Sequence, residues 1–138
     1  MNPRSAPDVS LDGALVEKMS TRGVELMVGA KRDPDWGTVL LLGLGGIWVE
    51  ARRDIRMLPG NADAAQILAA LGRLRSKKLL DGVRGAPPAD VDAVVQVVLA
   101  IGRLMRAAPE ITEIDVNPLM VHAKGRGATA LDALIVTA

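Results

Sequence analysis

The sequence predicts an α+β two-layer sandwich, a mostly antiparallel sheet covered on one face by two helices. Three observations carry this: strand-like runs fill the first half, two helical stripes follow, and a hairpin closes the chain.

Residues 1–11 hold Pro3, Ser5, Pro7 and Asp8 with little apolar content and read as a disordered tail or linker remnant, which leaves residues 12–138 as the folded module. Residues 14–19 read as a short strand and 24–30 as a second. Lys31-Arg32-Asp33-Pro34-Asp35 then turns the chain into a third strand over 38–42, antiparallel to the second because the connection is short. Trp36 is expected as an apolar plug beneath that turn. Between Trp48 and Met57 the side chains alternate, placing Val49, Ala51, Ile55 and Met57 on one face and Glu50, Arg52, Asp54 and Arg56 on the other. Arg53 sits on the apolar face, where a lone cation either snorkels to the edge or reaches into a cleft to meet an anion.

After Pro59-Gly60, Asn61 can cap a helix whose Ala64, Ile67, Leu68, Leu71 and Leu74 follow helical spacing, with an end expected between Ser76 and Gly82. A second helix begins after Pro87-Pro88, has Asp90 early, and runs through Val91, Val94, Val95, Val98, Ile101, Leu104 and Met105 to Ala108.

Apolar residues make up 49% of the chain but its aromatics are Trp36 and Trp48 alone, so the core must be aliphatic. With 17 basic against 16 acidic side chains there is no global field for nucleic acid, and the stacking residues of single-strand binders are missing. The absence of cysteine excludes disulfides and thiolate chemistry, and the N-terminus lacks the apolar region of a signal peptide. The longest uncharged run, residues 36–49, is too short to span a bilayer and is broken by glycines. A cytoplasmic protein free of membrane is the expectation.

Glu113-Ile114-Asp115-Val116-Asn117-Pro118-Leu119 and Leu131-Asp132-Ala133 read as two strands joined through Lys124-Gly125-Arg126-Gly127. If Lys124-Gly125 is a two-residue loop, counting outward sets Asn117 opposite Asp132, with Cβ atoms roughly 5 Å apart. A loop centred one residue later makes them diagonal neighbours on the same face, and a three-residue loop without a bulge puts them on opposite faces. A carboxylate and an amide oxygen together suit Mg²⁺, which takes few protein ligands and leaves its other positions to water and substrate phosphates. The plainer alternative is a half-buried hairpin in which Asn-Pro turns the chain. Gly43-Leu44-Gly45-Gly46 follows a strand and precedes another, so it is neither a Rossmann nor a Walker loop; it reads as a hairpin turn or as backbone N–H groups approaching phosphates. His122 has no second imidazole to join it and reads as structural.

Taken in order, Val16-Glu17-Lys18-Met19, Gly23-Val24-Glu25-Leu26-Met27-Val28-Gly29, Arg32-Asp33-Pro34, Gly43-Leu44-Gly45-Gly46-Ile47 to Glu50, Gly82 to Pro88 and the final hairpin resemble the ATP-grasp module of NDP-forming acyl-CoA synthetases. These are relatives of the succinyl-CoA synthetase β subunit and include ADP-forming acetyl-CoA synthetase. The resemblance implies the C-terminal half of an ATP-grasp fold. It implies that Glu17, Lys18 and Met19 form the hinge meeting adenine, that Glu25 contacts ribose, and that Asn117 and Asp132 hold Mg²⁺. By the same resemblance Asp115 falls near the loop carrying a phosphorylated histidine, and Arg53 falls where the family has Lys or Arg. Trp36 and Thr38 depart from the family's Phe and Pro. The implied activity is acid-thiol ligation, forming acyl-CoA from acid, CoA and ATP with release of ADP and phosphate through acyl phosphate and phosphohistidine. Only the C-terminal lobe is matched, so the chain is expected to be a fragment or a truncated protein. An N-terminal lobe and a CoA-binding domain or subunit, which binds most of the CoA, are the implied partners, and weak self-association is expected. The alternative is a non-catalytic nucleotide-sensing module, like the ATP-grasp-like regions fused to protein acetyltransferases.

Overall fold

The computed structural model describes residues 12–20, 22–45 and 54–138. Strands β1 (Val24–Asp33), β2 (Gly37–Leu44) and β3 (Ile55–Pro59) come first, followed by helices α1 (Ala64–Gly72), α2 (Lys77–Leu80) and α3 (Val91–Ala107). Strands β4 (Ile111–Val121), β5 (Ala128–Ala130) and β6 (Ala133–Thr137) complete the described elements. All pairings are antiparallel in the order β3-β2-β1-β4-β5, and β6 continues along β4 beyond β5. Helices α1 and α3 pack on one face; no described element covers the other. This is the α+β arrangement expected from the sequence.

Period-two alternation makes the division. Leu26, Val28 and Ala30 of β1, Leu40 and Leu42 of β2, and Ile114 and Val116 of β4 are buried against Ile67, Leu71, Val94, Val98 and Met105 of the helices. Arg32 continues the inward row of β1 beneath the end of α3. Its Nε donates to Ile111 O at 2.6 Å, its Nη1 to Thr38 Oγ1 at 3.2 Å, and its Nη2 to the carbonyls of Met105 and Ala108. At the other end of the helix, Asp90 caps α3 by accepting from Ala93 N–H.

The structure corrects several local expectations. Residues 14–19 form no strand; they are exposed and take no place in the described ladders, without which an extended segment has no backbone partners. β1 runs on to Asp33, whose carboxylate accepts from the N–H groups of Asp35 and Trp36 and so moves the turn onward. Trp36 is 83% exposed on that turn and plugs nothing. The helix cap is Asp63 rather than Asn61, in a reciprocal capping box with Gln66.

The face assignment of β3 is inverted. Met57 is 72% exposed, while Leu58 packs on the core and Asp54 is buried. Asp54 turns inward because its carboxylate accepts from Arg75 N–H at 2.7 Å, Ser76 N–H at 2.8 Å and the Ser76 hydroxyl at 2.6 Å. Those bonds tie it to the junction between α1 and α2, so one long helix is not formed. Arg53, Trp48 and residues 46–50 of the glycine motif lie outside the described residues, as does the expected tail of residues 1–11.

Two outcomes are expected. Leu26→Ala, at a side chain with 0% exposure, should cost about 2–5 kcal/mol in urea unfolding, whereas Leu68→Ala, at 50% exposure, should cost less than about 1 kcal/mol. The second concerns acid. Desolvation raises the Asp54 carboxyl, but the Ser76 hydroxyl, the N–H groups of Arg75 and Ser76 and the Arg56 charge outweigh it and hold the group below its ordinary 3.8. Asp90 is likewise held low, by the N–H groups of Gly127 and Ala93 against desolvation, helped by Gly125 N–H and the Lys124 charge. Both carboxylates bind protons less readily folded than unfolded, so their stabilisation is complete above 3.8 and lost as pH falls through the lower folded values. Urea midpoints should drop across that window, and Asp54→Asn should flatten the drop; an equally steep fall in the variant would remove Asp54 as a source.

Candidate functional site

Strand β4 carries two alternations. Ile114 and Val116 point to the helices, and past Asn117-Pro118 the inward set becomes Leu119 and Val121, alongside a register shift against β1 between Leu26 and Val28. Glu113, Asp115 and Asn117 therefore look onto the open face, and Met120 resumes it.

The hairpin register brings the predicted metal pair together. Leu119 pairs with Ala130, Met120 with Thr129 and Val121 with Ala128; beyond the site, Val116 pairs with Ala133 and Asp115 with Leu134. The same count sets Asn117 opposite Asp132, and Asn117 N–H donates to Asp132 O at 3.0 Å. Of the three arrangements open to the sequence, the two-residue Lys124-Gly125 loop is the one adopted, closed by Arg126 N–H to Ala123 O at 2.8 Å. Asp132 itself falls between β5 and β6 rather than inside one strand.

The electrostatics of this face are unfavourable for carboxylates alone. Desolvation first, then the charges of Glu113 and Asp132, push the Asp115 carboxyl above its ordinary 3.8. Among the described residues no three imidazole, thiolate or carboxylate groups are grouped to hold a metal by themselves. Asn117 and Asp132 offer instead a short set of hard oxygen donors, which fits a cation that keeps water and phosphate as further ligands.

Glu25 is exposed on β1 opposite Met120. Its carbonyl accepts from Gly45 N–H at 3.0 Å, and a Cβ at Gly45 would stand 2.7 Å from Leu26 O, so only glycine fits the approach. Lys18 and Met19 line a cavity of about 300 Å³ with Ser20, His122, Thr129 and Leu131. His122 is buried and its Nε2 lies 2.8 Å from Thr129 Oγ1, in keeping with the structural role read from the sequence. Glu17 is exposed beside this segment. A larger hollow of about 390 Å³, lined by Arg22, Leu79, Val83, Pro87 and His122 among others, holds none of the residues expected to bind nucleotide or metal. Ser20, Thr129 and Leu131 were not singled out in the sequence; the count that pairs Asn117 with Asp132 also puts Thr129 opposite Met120 and would have found it.

The sequence model of a family described as an ATP-grasp domain matches residues 2–137. A trans-feruloyl-CoA synthase from an unknown prokaryotic organism is 44% identical over 128 residues, 93% of this chain and 18% of that protein. The beta subunit of the ADP-forming acetate–CoA ligase II of Pyrococcus furiosus is 35% identical over 134 residues, 94% of this chain and 56% of the subunit. The chain thus spans from under a fifth to rather more than half of these relatives. The acetyl-coenzyme A synthetase 1 of Ca. Korarchaeum cryptofilum, solved with coenzyme A and Mg-AMPPCP, superposes with a TM-score of 0.80 at 33% identity, over 86% of this chain and 55% of that one. With strand order, hairpin and family match in agreement over nearly its whole length, the chain belongs to the ATP-grasp family.

Proposed function

We propose that residues 12–138 are the nucleotide- and Mg²⁺-binding half of an acid-thiol ligase that forms acyl-CoA from acid, CoA and ATP and releases ADP and phosphate. The observation that carries this is the order of groups along the open face. The cavity at Lys18 and Met19 and Glu25 beside Met120 flank one end of the β4 face, the Asn117–Asp132 pair comes next and Asp115 last. From His122 to Asn117 the strand covers roughly 16 Å, the reach of an extended nucleotide. Base and ribose fall at the end that the cavity and Glu25 share, and the phosphates at the metal pair.

In this reading the backbone of Glu17, Lys18 and Met19 meets adenine, Glu25 accepts from the ribose hydroxyls, and Asn117 and Asp132 hold Mg²⁺. An ion held there would spread the charge of the transferring phosphate. Asp115 lies beyond the metal pair, toward the incoming phosphohistidine segment of the kind the Ca. Korarchaeum cryptofilum structure contains. Arg53 supplies a cation for the phosphates. CoA is held mainly by a further domain or subunit, and an N-terminal lobe closes over the nucleotide. Exposed Leu134 and Ile135 of β6 supply apolar area for weak self-association. We place the protein in the cytoplasm, where ATP and CoA are available; no described helix is long and apolar enough to cross a membrane.

The chain alone should give no thioester, since donors on one side of the phosphate do not stabilise its transfer. In the enzyme completed with its second lobe and CoA domain, Glu25→Ala should weaken adenosine nucleotides by about 1–3 kcal/mol in calorimetry, and equal affinities would leave Glu25 without a ribose role. Asp132→Asn should lower turnover about 100-fold or more while changing the urea midpoint little. In the chain alone the same change should bring the Asp115 titration, followed by NMR, down toward 3.8, because one of the two repelling charges is gone. An unchanged rate at saturating Mg²⁺ would make Asp132 a structural carboxylate.

A further inference from the structure

The β4–β5 turn has the wrong local preference for the register it adopts. Gly125 carries φ +83 and Gly127 φ +80, while Lys124 stays out of the left-handed region. Positive φ at the third turn residue but not the second is the type II pattern, whose twist opposes that of the strands, so two-residue hairpins favour the primed turns instead. One residue further on, Gly125-Arg126 offers glycine at the first central position, as a type II′ turn requires. Turning there would slide the hairpin by two residues. Asn117 would then face Leu134 on the open side, but Asp132 would move opposite Leu119 and turn from the open face toward the helices.

Contacts from outside the hairpin oppose that slide. Asp90, 9% exposed, uses Oδ1 to cap α3 at 3.2 Å from Ala93 N, and its Oδ2 accepts from Gly125 N–H at 3.1 Å and Gly127 N–H at 2.8 Å. The turn is also docked through Lys124 N–H to Pro88 O and Asp90 N–H to His122 O, both 2.8 Å. In the slid hairpin Gly127 would stand opposite Lys124 within the ladder, and one carboxylate oxygen could no longer gather the Gly125 and Gly127 amides together. We propose that Asp90 is a positioning residue that selects the hairpin register and so the opposition of Asn117 and Asp132. The register is independent of what those two side chains bind; their service to a cation rests on the function proposed above.

Cross-strand Hα–Hα contacts in NMR spectra of the chain read the register directly. The wild type should show Leu119–Ala130 and Val121–Ala128 in a single set of resonances. Asp90→Ser keeps a helix cap but presents one short oxygen. It should lose at least half of the Leu119–Ala130 intensity and gain a Leu119–Asp132 contact. Adding Lys124→Asn places Asn-Gly, the type I′ signal, at the centre of the native turn and should restore the single native set. Full Leu119–Ala130 intensity in Asp90→Ser would overturn the proposal. If Asp90→Ser does not fold, the double variant decides: recovery of fold and native register upholds register selection, and failure to recover assigns Asp90 to helix stability alone. A Mg²⁺-nucleotide titration that leaves the Asn117 and Asp132 signals unmoved, with the register shift still seen, would count against the function and not against the role of Asp90.

Discussion

Helix α3 is tied to the sheet at both ends by charges of opposite sign, and the position of β4 depends on those two ties. At its N-terminus the Asp90 carboxylate accepts from the first-turn amide of Ala93, and at its C-terminus the Arg32 guanidinium donates to the carbonyls of Met105 and Ala108. Each charge answers the end of the helix dipole it meets. Each also grips the sheet: Arg32 holds Ile111 O, where β4 begins, and Asp90 holds the Gly125 and Gly127 amides, where the hairpin turns. β4 is therefore drawn between two anchors, with Asp115 and Asn117 at fixed places between them.

The two faces of the sheet obey different rules. On the helix side, Arg32, Asp54 and Asp90 bring charge among apolar side chains, and among the described residues no buried side-chain nitrogen or oxygen lacks a hydrogen-bond partner. On the open side, desolvation and then the charges of Glu113 and Asp132 raise the Asp115 carboxyl, a conflict that folding alone would not favour. Local conflict of this kind, in a domain otherwise consistent with itself, collects where a ligand is to supply the missing charge. The same contrast supports the proposal that the site lies on the open face.

Much of this was legible in the sequence because it is governed by short-range rules. The span of α3 followed from Pro87-Pro88, Asp90 and the apolar spacing up to Ala108, and the pairing of Asn117 with Asp132 followed from counting outward from Lys124-Gly125. What escaped was set at a distance. Asp54 reversed β3 because amides some twenty residues later, at Arg75 and Ser76, solvate it, and an alternation argument has no term for them. Asp63 displaced Asn61 as cap through Gln66, a reciprocal pair that could have been read. Residues 14–19 look like a strand by composition, but they pair with no strand of the described sheet. Arg32 stood out only as part of a motif; its four acceptors are carbonyls and a hydroxyl that no sequence pattern displays.

Gly82 to Pro88 entered the family resemblance as one more segment in the right order, without a task. The structure gives its end a physical one. Pro88 O accepts Lys124 N–H and Ala89 bridges Ala123, so the residues leading into α3 form a short ladder against the hairpin turn. That ladder brings the helix cap within reach of the turn amides, and proline at 88, lacking an N–H, is well suited to a position that only accepts. A strand pair whose own turn prefers another register is thereby held from the opposite side of the sheet. The opposition of Asn117 and Asp132 on the open face thus depends on residues that never approach it, and these are positions that ligand contacts alone do not reveal.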